Sequence, residues 1–406
     1  MRFGFPLQPQ RRVYAAFAIY AFSMGNIFPR LPDIKAAMGV QEGALGLSLI
    51  GTPLGTLVSL TLAAPYLERI GFRRALLTLI PLVAAAYAVA VQAPNPVAFF
   101  FLLFPVGILL GCVEIILNVE ADRTELLIGR RIMNRAHSFW SIGFFSAGIA
   151  GGLIGQTGIS PQLHLVLIVP IAIVGVALFL GGYQPSPKRE AGNGEGTHRF
   201  ARPTFAILVL VAATLSAMLM EGASLDWSAI YMRTLFESGP LVSALAVAAF
   251  AFSQATTRFF ADTFVERYSP SSVARSMTGL LTIGVVVVYV SPAPILSLAG
   301  FALLGIGSAT LFPLAISAAA QRTDRPAAIN VASMTQISFV VFLLGPPLLG
   351  FVAEHWGIRA SFGIGLPLVV LTFLTAHSLG GKVVSKDAPP GQGDAVARAS
   401  AHQDAF

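Results

Sequence analysis

Twelve apolar segments, each near the roughly 20 residues that a helix needs to cross a bilayer, follow one another along this 406-residue chain. They are placed at 13–30, 43–64, 73–92, 96–119, 134–157, 162–182, 204–230, 240–262, 271–290, 294–320, 327–352 and 358–380. Lipid offers no hydrogen bonds, so a segment that crosses it must satisfy its own backbone, which a helix does. Composition agrees: 55% of residues are hydrophobic and 11% charged, against about 25% charged in an ordinary soluble domain. The expected fold class is an all-α polytopic membrane protein of twelve transmembrane helices in two six-helix bundles. A set of packed soluble domains is excluded.

The net charge of +7 raises the question of a nucleic-acid partner, and its distribution answers it. With twelve spans, 22 of the 26 basic residues fall on the side of the termini; Arg30, Lys35, Arg233 and Arg359 fall on the other. That is the positive-inside pattern, so both termini are expected in the cytoplasm and no nucleic acid is expected. Arg11 and Arg12 precede Val13–Ile27 without a small-residue cleavage site, so this segment is read as a retained first span. Cys112 is the one cysteine, which excludes an internal disulfide and a cysteine-based metal site.

The longest polar interruption, YQPSPKREAGNGEGTHRFARP, divides six spans from six. It gives an N-terminal bundle at 1–182, a cytoplasmic linker at 183–203, a C-terminal bundle at 204–380 and a polar tail, expected to be disordered, at 381–406. Weak repetition supports the division. Glu68 and Arg73 match Asp262 and Arg267 at an offset of 194, as Leu109-Leu110-Gly111 matches Leu303-Leu304-Gly305, while Asn134 and Ala136 match Asn330 and Ala332 at 196. Halves of six spans each have parallel topology.

Two acids stand in otherwise apolar spans. Glu114 lies in FPVGILLGCVEIILNV (Phe104 to Val119) and Glu221 in LVAATLSAMLMEGASLDWS (Leu210 to Ser228). A carboxylate at mid-bilayer costs about 2.5–3.5 kcal/mol on insertion scales, so each marks a candidate proton or polar-solute pathway. Helical spacing puts Gly107, Gly111 and Asn118 on the face of Glu114, and Thr214, Ala217, Ser224 and Ser228 on that of Glu221. Both stripes are expected to line a wet cavity. The alternative for each acid is a packing hydrogen bond to a neighbouring helix. His137, at the start of span 5, has a side chain suited to proton exchange or to a structural bond. Asn26, Gln254, Asn330 and Gln336 are further candidates for solute contact, or for gluing helices together. Asp226 and Trp227 are placed near the outer surface, Trp227 as an interface anchor.

Between spans 2 and 3 the chain reads Ala64-Pro-Tyr-Leu-Glu-Arg-Ile-Gly-Phe-Arg-Arg74. This resembles the signature of the major facilitator superfamily, with Glu68, Arg69, Gly71 and Arg73 matching in type and Ala64 in place of a glycine. A degenerate second copy comprises Arg258, Asp262 and Arg267. The resemblance implies a latch in which the acid pairs with loop arginines and a helix end. Gly111-Cys-Val-Glu114 with Asn118, the run Asn134 to Gly143, Glu221 to Trp227, and Gly345-Pro-Pro-Leu-Leu-Gly350 resemble the fucose permease branch and related bacterial inner-membrane permeases. In the fucose permeases a span-1 carboxylate works with the span-4 glutamate. Here span 1 offers Tyr20, Ser23 and Asn26 but no acid before Asp33, so that scheme lacks its first member.

The resemblance implies a secondary transporter of the bacterial inner membrane, working by alternating access on a small polar solute, a sugar or polyol. Proton coupling through Glu114 is expected, with Asn118 touching the solute and Glu221 doing related work. No cofactor beyond a proton gradient and no partner beyond solute and lipid are expected, and the chain is read as a monomer. The alternatives are proton-driven export of amphipathic compounds and a non-transporting sensor. His-Glu-x-x-His, Gly-x-Ser-x-Gly and Cys/His clusters are absent from the sequence, which argues against an enzyme.

Overall fold

The computed structural model describes residues 5–130, 132–187 and 202–380; the side chains of Ala64, Glu68, Asn134, Asp262, Ala327 and Ala328 are also outside the description. The expected linker core and tail therefore lie outside the described residues. Among the described residues ten helices are long and apolar enough to cross a bilayer, and Phe205–Ala212 with Leu215–Phe236 forms an eleventh span bent by 45°. The twelfth is span 1, Pro9–Gly25, which continues through the turn Phe28–Arg30 into a short helix, Leu31–Met38. These twelve helices are the expected architecture.

Local chemistry sets where the spans begin. Pro9, Pro96, Pro161, Pro240, Pro270 and Pro294 each open a span, where the missing N–H costs nothing. Asn95, Ser160 and Thr204 cap spans 4, 6 and 7 by accepting from the N–H three residues on. Span 4 runs to Ile128, well past the expected 119, and its last turns leave the apolar zone. There Glu125 Oε1 accepts from the backbone N–H groups of Ile132 and Met133, holding the start of span 5. Buried Glu120 accepts from the Ser186 N–H at 2.6 Å and so fixes the chain leaving span 6.

Packing within each bundle depends on backbone approach. A Cβ on Gly107 (span 4) would overlap the Thr52 carbonyl oxygen in span 2, and one on Gly55 would overlap that of Phe104. Gly111 similarly meets Ser59 Oγ. The glycine stripe of span 4 thus seats span 2. It does not leave room beside Glu114 as the helical spacing suggests, because helix–helix association in lipid relies on close van der Waals contact between small residues. The stripe on span 7 is turned the same way: Thr214, Ala217, Ser224 and Ser228 are buried in packing, and Thr214 sits at the bend.

The two bundles are tied on the side away from the termini. Asp33, on the short helix after span 1, accepts from Arg30 at 2.8 Å and from Arg233 of the second bundle at 3.2 Å. Gly43 N–H donates to Glu354 Oε2 at 2.9 Å, and Leu241 N–H to Gln156 Oε1 at 3.3 Å. Gly46 lies against the Pro346 carbonyl, and Gly350 against the Glu42 carbonyl and the Trp227 ring. The Gly-Pro-Pro run of span 11 is thus a contact surface for span 2. Gly46→Val should keep this side from closing. In a Cys112→Ala background, a cysteine at Leu31 should then react with a membrane-impermeant maleimide at least about tenfold faster, the population shift that ~1.4 kcal/mol brings. Unchanged labelling would mean that the side closes without this contact.

Candidate functional site

A cavity of about 400 Å³ lies between the bundles. Span 1 contributes Phe17, Tyr20 and Met24, span 2 Thr52 and Thr56, and span 3 Tyr87. Span 4 presents Leu103, Leu110, Glu114, Leu117 and Asn118, a stripe at helical spacing one step round from its glycines. His137, Trp140 and Phe144 come from span 5. The second bundle supplies Glu221, Gly222, Leu225 and Asp226 from span 7, Arg258 from span 8, and Phe339, Phe342 and Pro346 from span 11.

In the first bundle the polar groups are organised around Asn118. Its Nδ2 donates to the Glu114 carbonyl one turn back at 2.9 Å, which points Oδ1 toward His137 Nε2 at 3.3 Å. The histidine is therefore the donor at Nε2, and its ring packs edge-on to Phe17 with centroids 5.1 Å apart. Among the described residues the Glu114 carboxylate accepts no hydrogen bond; Glu114, Asn118 and His137 are all exposed to the cavity. In the second bundle Arg258 Nη2 reaches both oxygens of Glu221 at 3.3 and 3.4 Å. Its Nε donates to the Ala309 carbonyl at 3.1 Å, in the break between Pro294–Ser308 and Leu311–Ala320. The arginine is held at two points.

Several expected roles change. Arg258, expected in the second copy of the latch, instead faces the cavity from within span 8, which runs on to Tyr268. Asp226 is on the cavity wall and Trp227 is fully buried; neither belongs to an outer surface. Gln254 is buried against Ser308 Oγ at 3.3 Å, away from the cavity. Asn330, at the start of span 11, donates to Asp324 Oδ1 at 3.0 Å, and Gln336 is also off the cavity wall. Asn26 is buried, its Nδ2 on the Phe22 carbonyl and its Oδ1 accepting from His164 Nε2 at 3.1 Å. His164 in turn accepts from Arg30, so Asn26 belongs to the polar chain that ends in the Arg30–Asp33–Arg233 tie.

The latch residues divide. Arg73 donates to the carbonyls of Tyr183 and Gly181 at 2.8 and 3.0 Å, and Arg12 to that of Gly182, gathering the end of span 6. Arg69 and Arg267 lie over the rings of Tyr66 and Tyr268. The side chains of Glu68 and Asp262 lie outside the described residues. The sequence reading passed over Tyr87 and the aromatic wall. An aromatic in an apolar span gives no signal of which way it faces.

Residues 209–402 match the family profile described as Major Facilitator Superfamily. An uncharacterised MFS-type transporter of Yersinia pestis is 26% identical over 88% of this chain and 92% of its own length. The C-terminal half of the chain is thus similar to the major facilitator superfamily, and the whole chain to MFS-type transporters. An uncharacterised transporter of Sinorhizobium fredii is 28% identical, over 88% of the chain and 94% of its own length. The crystal structure of the nucleoside transporter NupG superposes with a TM-score of 0.70 at 13% identity, covering 92% of this chain and 98% of that one, which shows the shared twelve-helix fold. The chain is a membrane transporter of a small-molecule solute and not an enzyme.

Proposed function

We propose that the chain is a proton-coupled symporter of a small polar, ring-sized solute such as a sugar or polyol, in a bacterial inner membrane with both termini in the cytoplasm. One observation carries the reading: among the described residues Glu114 has no hydrogen-bond partner, and it stands on the wall of a cavity shared by both bundles. A carboxylate placed so can take up and release a proton as the cavity opens to one side and then the other. Asn118, with His137 behind it, offers the solute a hydrogen bond, and Glu221, fixed by Arg258, is a charged acceptor on the facing bundle. The far-side ties then correspond to the inward-open stage of the cycle. The excess of basic residues near the termini supports the orientation.

The aromatic wall favours a second reading, export of amphipathic compounds in exchange for protons. Both are tested on the purified protein. Sugars, polyols and amphipathic compounds are screened for a rise in melting temperature, which a ligand of the native state produces. Each binder is then followed in proteoliposomes with an imposed pH gradient. Accumulation with the inward flow of protons, abolished by a protonophore, supports symport; movement against that flow supports export. Transport indifferent to the protonophore would refute proton coupling, and binding without movement would make the protein a sensor.

A further inference from the structure

The cavity carries an imbalance of charge that the transport reading leaves unused. Among the described residues three carboxylates, Glu114, Glu221 and Asp226, line it with one permanent cation, Arg258. That cation is committed to Glu221 and to the Ala309 carbonyl. Among the described residues no hydrogen bond or ion pair reaches the carboxylate of Glu114 or of Asp226. His137 supplies no compensating charge, since a neutral ring already satisfies its one polar contact, to Asn118. The cavity is therefore two positive charges short.

A proton on Glu114 supplies one of them. The surroundings of Asp226 indicate what supplies the other. Tyr87, from the first bundle, is 2% exposed, lines the cavity with its hydroxyl unpartnered, and lies within electrostatic reach of Asp226 across the bundle interface. Beyond them the wall is aromatic: Phe28, Trp140, Phe144, Phe339 and Phe342. Trp140 and Phe144 stack with centroids 5.3 Å apart. Ring faces attract cations and tolerate the alkyl groups attached to them, whereas they give an anion or a bare hydroxyl nothing comparable. A carboxylate, a phenol that faces the cavity and a wall of rings are together the surroundings that an organic ammonium group requires.

We propose that the solute is a monocation, a protonated or quaternary amine on a ring-sized body, with its charge held at Asp226 and Tyr87 and its body against the aromatic wall. This rests on the reading that the protein transports a ring-sized solute, and it replaces the neutral sugar or polyol with a cargo that carries an ammonium group. The cycle then balances. One proton at Glu114 and one ammonium at Asp226 bring the loaded cavity to neutrality, which is the state able to pass through an occluded, low-dielectric stage. A neutral solute would leave Asp226 charged and unpaired at that stage. An anion would add a second uncompensated charge, because Arg258 is already engaged.

The test compares matched probes on the full-length protein in nanodiscs: 2-phenylethylamine against 2-phenylethanol, glucosamine against glucose, and tetraethylammonium, whose charge does not depend on pH. At least one cationic probe should bind about tenfold more tightly than its neutral counterpart, the effect of a desolvated cation–ring contact plus an ion pair. Asp226→Asn should erase that preference and Asp226→Glu restore most of it. Neutral probes binding as tightly as the cationic ones would overturn the proposal. So would failure of every cation to bind, or an unaltered preference in folded Asp226→Asn. If cations bind and are not carried into proteoliposomes, the transport reading fails and this one stands. If neutral sugars are carried with protons, the reverse holds.

Discussion

Glu114→Gln is expected to abolish accumulation driven by a pH gradient while leaving exchange of solute across the membrane intact. An imposed difference of about one pH unit, without membrane potential, lets a one-proton symporter concentrate its solute up to roughly tenfold. The amide should bring that ratio down to about one, because it imitates the protonated acid permanently and cannot be emptied on the other side. The carboxylate makes no hydrogen bond among the described residues, so its replacement removes no structural contact and melting in detergent should hardly move. Full accumulation by the variant would sink the assigned role. Loss of folding together with uptake would show that Glu114 is there for packing.

The largest effect on the fold is expected at the crossing of spans 2 and 4. Gly55 and Gly107 each sit against a backbone carbonyl of the other span, Phe104 and Thr52 respectively. A side chain at either position must push two backbones apart, and no flexible side-chain end is available to yield. Overpacking in soluble cores costs about 1–3 kcal/mol and sometimes more. Here the obstacle is main chain on both sides, so Gly107→Val should leave little or no monodisperse protein after detergent extraction. Gly148→Ala is the control: its nearest neighbour would lie 3.6 Å away, at Ala248, which is ordinary contact. A Gly107→Val protein with near-normal yield and melting would show that span 2 can pack elsewhere.

Much of the fold was legible because lipid imposes one dominant rule. Apolar stretches of spanning length and the imbalance of basic residues identify helices without any knowledge of their neighbours. Periodicity also groups residues by face, and it separates Cys112, which is buried, from Glu114. Periodicity cannot say what a face looks at. Gly107 and Gly111 look at span 2, while Glu114 and Asn118, on the neighbouring strip, look at the cavity. Polar side chains in spans were ambiguous for the same reason: Asn26 and Gln254 find partners in helices distant in sequence, and Asn330 finds one in the loop six residues before it. Arg258 shows the clearest limit. Its partners, Glu221 and Ala309, are 37 and 51 residues away, and nothing within span 8 announces them.

Asp33 is shared by two arginines, and the sharing is unequal. When the far side opens, Asp33 keeps Arg30, which is buried in its own bundle, at 2.8 Å. Only Arg233 must let go, and its side chain is already 34% exposed. Neither bundle is left with a bare charge in apolar surroundings. The separation therefore costs no more than a partly exposed ion pair is worth, up to about 1 kcal/mol. A clasp this weak aligns the bundles without locking them, and thermal motion can part it many times in each cycle. Tightness against leakage then cannot reside in the clasp. It has to come from the cavity, where a fully loaded site, its acids neutralised, is better able to close than one holding solute or proton alone.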